Sequence, residues 1–259
     1  MTLDSLAPLE IPISGFVVVV LVDYWRQHQG WGWLRLMSGP KAFQGTPGLQ
    51  FAKVMGSGQN GGFSLRPSAS HQGFICCFES WSTAVDFLRS PLMHGVAERA
   101  RQHWRGIFAV QSARGAWDRQ AWTPTSDAAW HSAEPQQAHP QMLGVITRAS
   151  IRPAKAVAFW RHAPAAQTDL EQAKGCELAM GLGEAPLLRQ CTFSLWRDTE
   201  SMTGYAHHHS HQQAIQAAYK HRFFAESLFV RMQLLCMQGQ WKSSSHDYQA
   251  QCLDEVPHV

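Results

Sequence analysis

The constraint that bears hardest on this chain is an internal repeat. The stretch GFICCFESWSTAVDFLRSPLMHGVAERARQHW from Gly73 and the stretch LRQCTFSLWRDTESMTGYAHHHSHQQAIQAAYKHRFF from Leu188 follow one plan. Each opens on an apolar run, then Phe, then Trp, and reaches a helix-start signal, Ser82-Thr83 in one and Asp198-Thr199 in the other. An amphipathic stretch follows, then a second apolar run, GIFAVQS at 106 and SLFVRMQLL at 227. Upstream, LQFAKVMGSG at 49 mirrors CELAMGLGEAP at 176, and FVVVVLVDYW at 16 mirrors MLGVITRASI at 142. Val-rich and aromatic runs predict strands. Apolar residues at three- and four-residue steps predict helices, one through Ala154, Val157, Ala158 and Trp160 and another through Ala214, Ile215, Ala218 and Phe223. Each half reads βαββαβ, the ferredoxin-like unit.

The fold class that follows is α+β. A lone half of under about 110 residues would leave its open sheet face wet. Two halves packed sheet to sheet share one core, giving two fused ferredoxin-like halves as an α+β barrel. The alternative is two independent domains on a tether. The expected division is residues 1–112 for the first half, 113–141 for a connecting segment, 142–240 for the second half and 241–259 for a flexible tail. The connecting segment has neither a helical nor a strand period, yet it holds three tryptophans. It is expected to pack over a surface or a pocket mouth.

Several function classes are excluded by what the chain lacks. A net charge of +3, with no Lys/Arg cluster, is too weak to argue for nucleic acid. The six cysteines include no C-x-x-C pair and read as free thiols in a reducing compartment. The apolar run Phe16 to Val22 follows an acidic start and falls far short of the roughly 20 residues that span a bilayer. It reads as a buried strand rather than a signal peptide, and a cytoplasmic protein is expected. There is no G-x-S-x-G elbow, phosphate-binding P-loop or H-E-x-x-H. GSGQNGG at 56 is not followed by a helical pattern, so a wide hairpin turn is preferred to a nucleotide loop.

The residues that could carry chemistry begin with HHHSHQQAIQ at 207. Ser210 suits an N-cap, and His211 then shares a helix face with Ala214, Ile215 and Ala218. An inward imidazole is one way to ligate a haem iron; a buried structural histidine is the other reading. His207, His208 and His209 read as solvated loop residues. With a soft register, His94 falls opposite His211 in the repeat. Lys53, Arg148, Arg152, Glu184 and the Arg189-Gln190 pair interrupt or border apolar strand runs. Buried charges need partners, and Arg148 with Glu184 is one plausible pair. These residues are either structural ion pairs and strand edges, or a polar rim around a pocket.

The chain also resembles the spheroidene monooxygenases, acyclic carotenoid 2-ketolases of purple bacteria. The resemblance is carried by GLQFAKVMGSG at 48, SARGAW at 112, ITRASIRPAKAVAFWRHAP at 146, GLGEAPLLRQCTFSLWRD at 181, MTGYA at 202, HQQAI at 211 and RFFAESLFVRM at 222. It implies a haem-containing monooxygenase that uses O2 and reduced ferredoxin. Its reaction would place a ketone at C-2 of spheroidene or a related acyclic carotenoid, by two hydroxylations and loss of water. It implies His211 as the iron ligand, with Lys53, Arg148, Arg152 and Glu184 as cofactor-binding candidates. A membrane-dwelling substrate implies peripheral contact with the inner face of the cytoplasmic membrane. The histidines at 207 to 209, the Cys76-Cys77 pair and the polar tail depart from the family pattern. A non-catalytic haem or hydrophobe carrier, and a cofactor-free barrel oxygenase, are the rival readings.

Overall fold

A computed structural model describes residues 12–62, 64, 66–131, 141–161, 169–170, 172–185, 187–206 and 222–254. The first half runs β1 (Phe16–Tyr24), α1 (Gln29–Ser38), β2 (Leu49–Gly58), β3 (Pro67–Phe78), α2 (Trp81–Leu88), α3 (Pro91–Glu98) and β4 (Ala100–Trp117). A two-residue strand β5 (Gln120–Ala121) and a short α4 (Asp127–His131) follow. The second half runs β6 (Leu143–Ile151), α5 (Ala156–Trp160), β7 (Cys176–Ala185), β8 (Arg189–Trp196), α6 (Thr199–Ala206) and β9 (Phe224–Trp241), with β10 (Ser244–Tyr248) paired beyond it.

The strand order is β2-β3-β1-β4 in one half and β7-β8-β6-β9 in the other, all antiparallel. Both are the ferredoxin-like order. Edge meets edge at two seams, β4 with β9 and β2 with β7, closing eight strands into a barrel. The expected α+β architecture of two fused halves is the one observed. The seams differ sharply. β4 and β9 pair from Trp104 opposite Gly239 to Gly115 opposite Leu228. β2 and β7 meet in register only at Gly56 and Gly183, reinforced by the Ser57 hydroxyl donating to the Gly181 carbonyl at 2.5 Å.

The barrel interior is the shared core. Val17, Val19 and Leu21 point into it from β1, together with Trp104, Phe108, Phe193, Val230 and Met232 from β4, β8 and β9. Phe16, Val18, Val20 and Val22 point outward beneath α2 and α3, against Trp81, Val85, Leu88 and Val96. Both faces of β1 are therefore buried, which is why its sequence shows an unbroken apolar run instead of alternation. Cys77 faces the interior and its neighbour Cys76 the outer layer, and no disulfide joins any of the six cysteines. Among the described residues, the second half's outer layer is smaller: Leu143, Val145 and Trp196 under Leu170 and Met202.

Local signals are placed as follows. The Asp198 carboxylate accepts from the Ser201 amide at 2.7 Å and starts α6 as expected. The cap of α2 is Ser80, two residues before the predicted Ser82-Thr83, accepting from the Thr83 amide at 3.3 Å. GSGQNGG is a wide turn between β2 and β3, with the Gln59 amide donating to the Arg66 carbonyl at 2.8 Å. α5 is shorter than its apolar spacing suggested, because Pro153 opens a 3-10 turn through Lys155 before the helix begins.

Two expected boundaries differ from the structure. β4 continues past residue 112 to Trp117, because β9 offers it a partner well beyond the start of β1. The expected flexible tail contains β10, whose Ser244 to Tyr248 pair with Trp241 to Met237. The predicted helix through Ala214, Ile215 and Ala218, with His207, His208, His209 and His211, lies outside the described residues. Among the described residues, no helix is long and apolar enough to cross a membrane.

Candidate functional site

The overshoot of β4 builds one end of the barrel. At Trp117 the chain reverses through Asp118 and Arg119, both left-handed at φ 52° and 67°, which gives the tight turn into β5. Glu226 of β9 fixes that turn by accepting from the Asp118 amide at 3.0 Å and the Arg119 amide at 2.7 Å. Trp122 returns beside Ile13 and stacks on Trp117, centroids 6.3 Å apart and planes 12° apart. Phe51 meets both rings edge-on, at 5.3 and 5.4 Å. Three aromatic side chains thus plug the interior.

Charged groups gather around this plug. The inward positions of the strand ends bring Lys53 from β2, Arg148 from β6, Glu184 from β7, Arg189 from β8 and Glu226 from β9 to Asp118. Lys53 bonds to Asp118 and, at 3.1 Å, to Glu184. Arg148, only 1% exposed, bonds to Glu226 and reaches Asp118 at 3.4 Å and Glu184 at 3.7 Å. Arg189 meets Asp118 at 3.4 Å and Glu184 at 3.5 Å. The Trp117 indole donates to Glu184 at 2.7 Å, and Lys53 and Arg148 stand over its ring at 5.9 and 5.6 Å. Among the described residues, three cations oppose three carboxylates in a single network.

The electrostatics are those of a mutually held set. Partial burial pushes the Asp118 carboxyl upward, but the hydrogen bond and charge of Lys53, then Arg189 and Arg148, outweigh it and hold Asp118 below the usual carboxylate range. Burial, reinforced by the Glu184 charge, pushes the neighbouring Cys191 thiol far up and keeps it protonated and inert. Such a network can close a barrel end to water, orient Trp117 and present Arg189 and Asp118 to solvent.

Of the residues singled out from sequence, Lys53, Arg148, Glu184 and Arg189 come together here, and the expected Arg148–Glu184 pair is present. Arg152 is not among them: it is exposed and donates to the Phe224 carbonyl at 3.1 Å. His94 stands half-buried on α3, whose buried residues are Met93 and Val96. Trp117, Asp118 and Glu226 were not singled out. Glu226 was findable, since it shares a strand face with Leu228, Val230 and Met232. Asp118 was not, because its role depends on where a turn lands.

The described residues at this end do not fit a haem. None of them is an imidazole, and each cation is already opposed by a carboxylate that a propionate would have to displace. Among the described residues there is no group of three or more His, Cys, Asp or Glu that could hold a metal ion. His211 lies outside the described residues. A separate cleft of about 680 Å³ borders α6, lined by Asp169, Lys174, Arg197, Asp198, Ser201 and Tyr205, among others. That lining is mostly polar and unlike a seat for an apolar chain.

A second polar group occupies the other end of β1. Asp23 accepts from the Arg101 guanidinium at 2.8 and 2.5 Å, and His71 lies 3.6 Å away, hydrogen-bonded to Ser68 at 2.9 Å. Burial above all holds His71 below its usual range, against the pull of Asp23. Ser68 and Asp23 both address Nδ1, so this is not a nucleophile–base–acid chain.

No protein-family model matches the chain. Individual relatives do. A spheroidene monooxygenase of Rubrivivax gelatinosus is 41% identical over 227 residues, 87% of this chain and 84% of that protein. One of Rhodobacter capsulatus is 32% identical over 201 residues, 75% of this chain and 79% of that protein. Likeness to solved structures is looser. An anthrone oxidase-like protein is 11% identical with a TM-score of 0.31, covering 90% of this chain and 96% of that one. A conserved protein from Methanosarcina mazei is 13% identical with a TM-score of 0.32, covering 35% of this chain and 90% of that one.

Proposed function

The chain belongs to the spheroidene monooxygenase family and is an oxidoreductase, and from that premise we propose that it oxidises spheroidene or a related acyclic carotenoid at C-2 to the ketone. O2 and reduced ferredoxin are the co-substrates in this reading, and haem is the cofactor, with His211 as the iron ligand. One observation carries it: the 41% identity over 87% of the chain spans both halves of the barrel.

Haem, when bound, supplies the oxygen-activating redox centre that no side chain offers. The chain's own residues do the rest. The described interior is filled by its own side chains, so the polyene is assigned to the outside of the barrel. The second half's outer face, where Leu143, Val145 and Trp196 lie beneath a cover that includes Leu170 and Met202, is the face this reading favours. His211 follows the end of α6, which contributes Met202 to that cover, by five residues. Lys53, Arg148 and Glu184 then act by closing the barrel end to water and holding Trp117, and not by binding propionates.

The test is spectroscopic first. Protein produced with a haem precursor should show a Soret band that His211→Ala removes. No band in the unsubstituted protein sinks the haem assignment; an unaltered band in His211→Ala sinks the ligand assignment alone. Expression in a spheroidene-accumulating host should convert the pigment to a ketocarotenoid, and unchanged pigment would overturn the substrate reading.

A further inference from the structure

Four of the seven large apolar side chains exposed among the described residues stand within thirteen positions: Trp25 at 50%, Trp33 at 42%, Leu34 at 66% and Met37 at 80%. Three of them lie on α1, on the side away from the core. Its only buried residue is Gly32, where a Cβ would come within 2.7 Å of the Tyr24 ring, and the half-buried Trp31 and Leu36 pack beside it against the core. Leu36 turns inward beside Gly56. At 100° per residue, Trp33, Met37, Gly30 and Leu34 share an arc of about 100°. A Cβ at Gly30 would meet nothing within 4 Å, so this face is open.

Charge gives the face a partner. No Asp or Glu occurs from Tyr24 to Phe78, while Arg26 and Lys41 stand exposed on either side of α1. Arg35 lies over the Trp31 ring at 4.7 Å with its charge on the helix flank. Tryptophan beside basic residues is the chemistry of a membrane interface, where an amphipathic ring sits at headgroup depth and cations meet phosphates. A second copy of this chain is the poorer occupant, because a self-complementary contact would bring Arg26, Arg35 and Lys41 against their own like charges.

We propose that α1, with Trp25 ahead of it, is a docking surface for an anionic lipid bilayer. Trp33, Leu34 and Met37 enter the acyl boundary while Arg26 and Lys41 engage headgroup phosphates. The inference stands on this patch and does not depend on the carotenoid reading.

The test uses the full chain and vesicles of phosphatidylcholine with or without phosphatidylglycerol. The protein should co-sediment with the anionic vesicles and more weakly with the neutral ones. Brominated lipid should quench its tryptophan fluorescence. The triple variant Trp33→Ser, Leu34→Gln, Met37→Gln should lose about tenfold or more in binding, with unchanged circular dichroism because these side chains are exposed. Arg26→Gln with Lys41→Gln should remove the preference for anionic lipid. Equal pelleting of the triple variant and the unsubstituted chain would overturn the proposal. So would a protein that stays in the supernatant and forms a dimer that the triple variant abolishes, since the patch would then be a self-interface.

Discussion

The two halves repeat one topology, yet among the described residues they are dressed differently. Inside the barrel they are near equivalents, each supplying alternate side chains of four strands to one core. Outside, the first half buries β1 and β3 under α2 and α3 through Phe78, Trp81, Val85, Phe87 and Val96. The described outer layer of the second half is built on Leu143, Val145 and Trp196. The shared core is under constraint from both sheets, so neither half can drift there. The outer faces are less constrained: the first half's also takes in Leu235, Cys236 and Leu253 from beyond its own helices. The charged end belongs to neither half alone: Lys53, Trp117 and Asp118 precede residue 119, and Arg148, Glu184, Arg189 and Glu226 follow residue 147.

The seam where the halves are most alike offers the largest test. Gly115 of β4 and Gly239 of β9 occupy related positions, at φ 91° and 132°, and a Cβ on each would lie 2.0 and 2.1 Å from a carbonyl of the other strand, that of Ser227 or His103. Gly115→Ala and Gly239→Ala should each cost more than about 4 kcal/mol, read as lost folded yield or a lowered urea midpoint. At the other seam a Cβ on Gly56 meets only the end of Leu36 at 3.4 Å, and Gly56→Ala should cost under about 1 kcal/mol. A mild effect at one of the two β4–β9 glycines would break the equivalence of the halves there.

The composite end should respond unequally to the loss of Arg148 and of Lys53. Arg148→Met strips a fully buried guanidinium from Glu226 and Glu184 and should cost about 3–5 kcal/mol. Lys53→Met should cost less, about 1–3 kcal/mol, because Asp118 and Glu184 each keep Arg189 and Arg148 nearby. Chemical denaturation measures both. The reverse order would mean that the first half dominates this end.

A pH dependence is expected on the first half. Burial, then the Arg105 charge, lowers His103 on β4 to about 4, and its buried Nε2 has no hydrogen-bond partner among the described residues. In the unfolded chain the ring titrates near 6.5, so between about pH 6.5 and 4 the unfolded chain binds a proton the fold refuses. Stability should therefore fall as pH drops through that window, by about 3 kcal/mol in all, and be full above it. His103→Gln should flatten this slope in urea titrations, and an unchanged slope would remove His103 as its source.

Much of the fold was legible because it is written in local periods. The apolar runs fixed the strands, the repeat fixed the ferredoxin-like order twice over, and Asp198 marked a helix start at its own position. Lys53, Arg148, Glu184 and Arg189 stood out because a charge in an apolar strand needs a partner. What stayed hidden depends on contacts between distant positions. The reach of β4 to Trp117 and the pairing of β10 both require β9 as a neighbour, which no local period reveals. Asp118 joins the charged end only because a left-handed turn lands it between Lys53 and Arg148, 65 and 30 residues away in the chain. Sequence by itself determined which residues face inward, since side-chain direction along a strand is a local property. Only the tertiary structure decided which inward residues meet, because barrel closure and strand register set distances that no single segment contains.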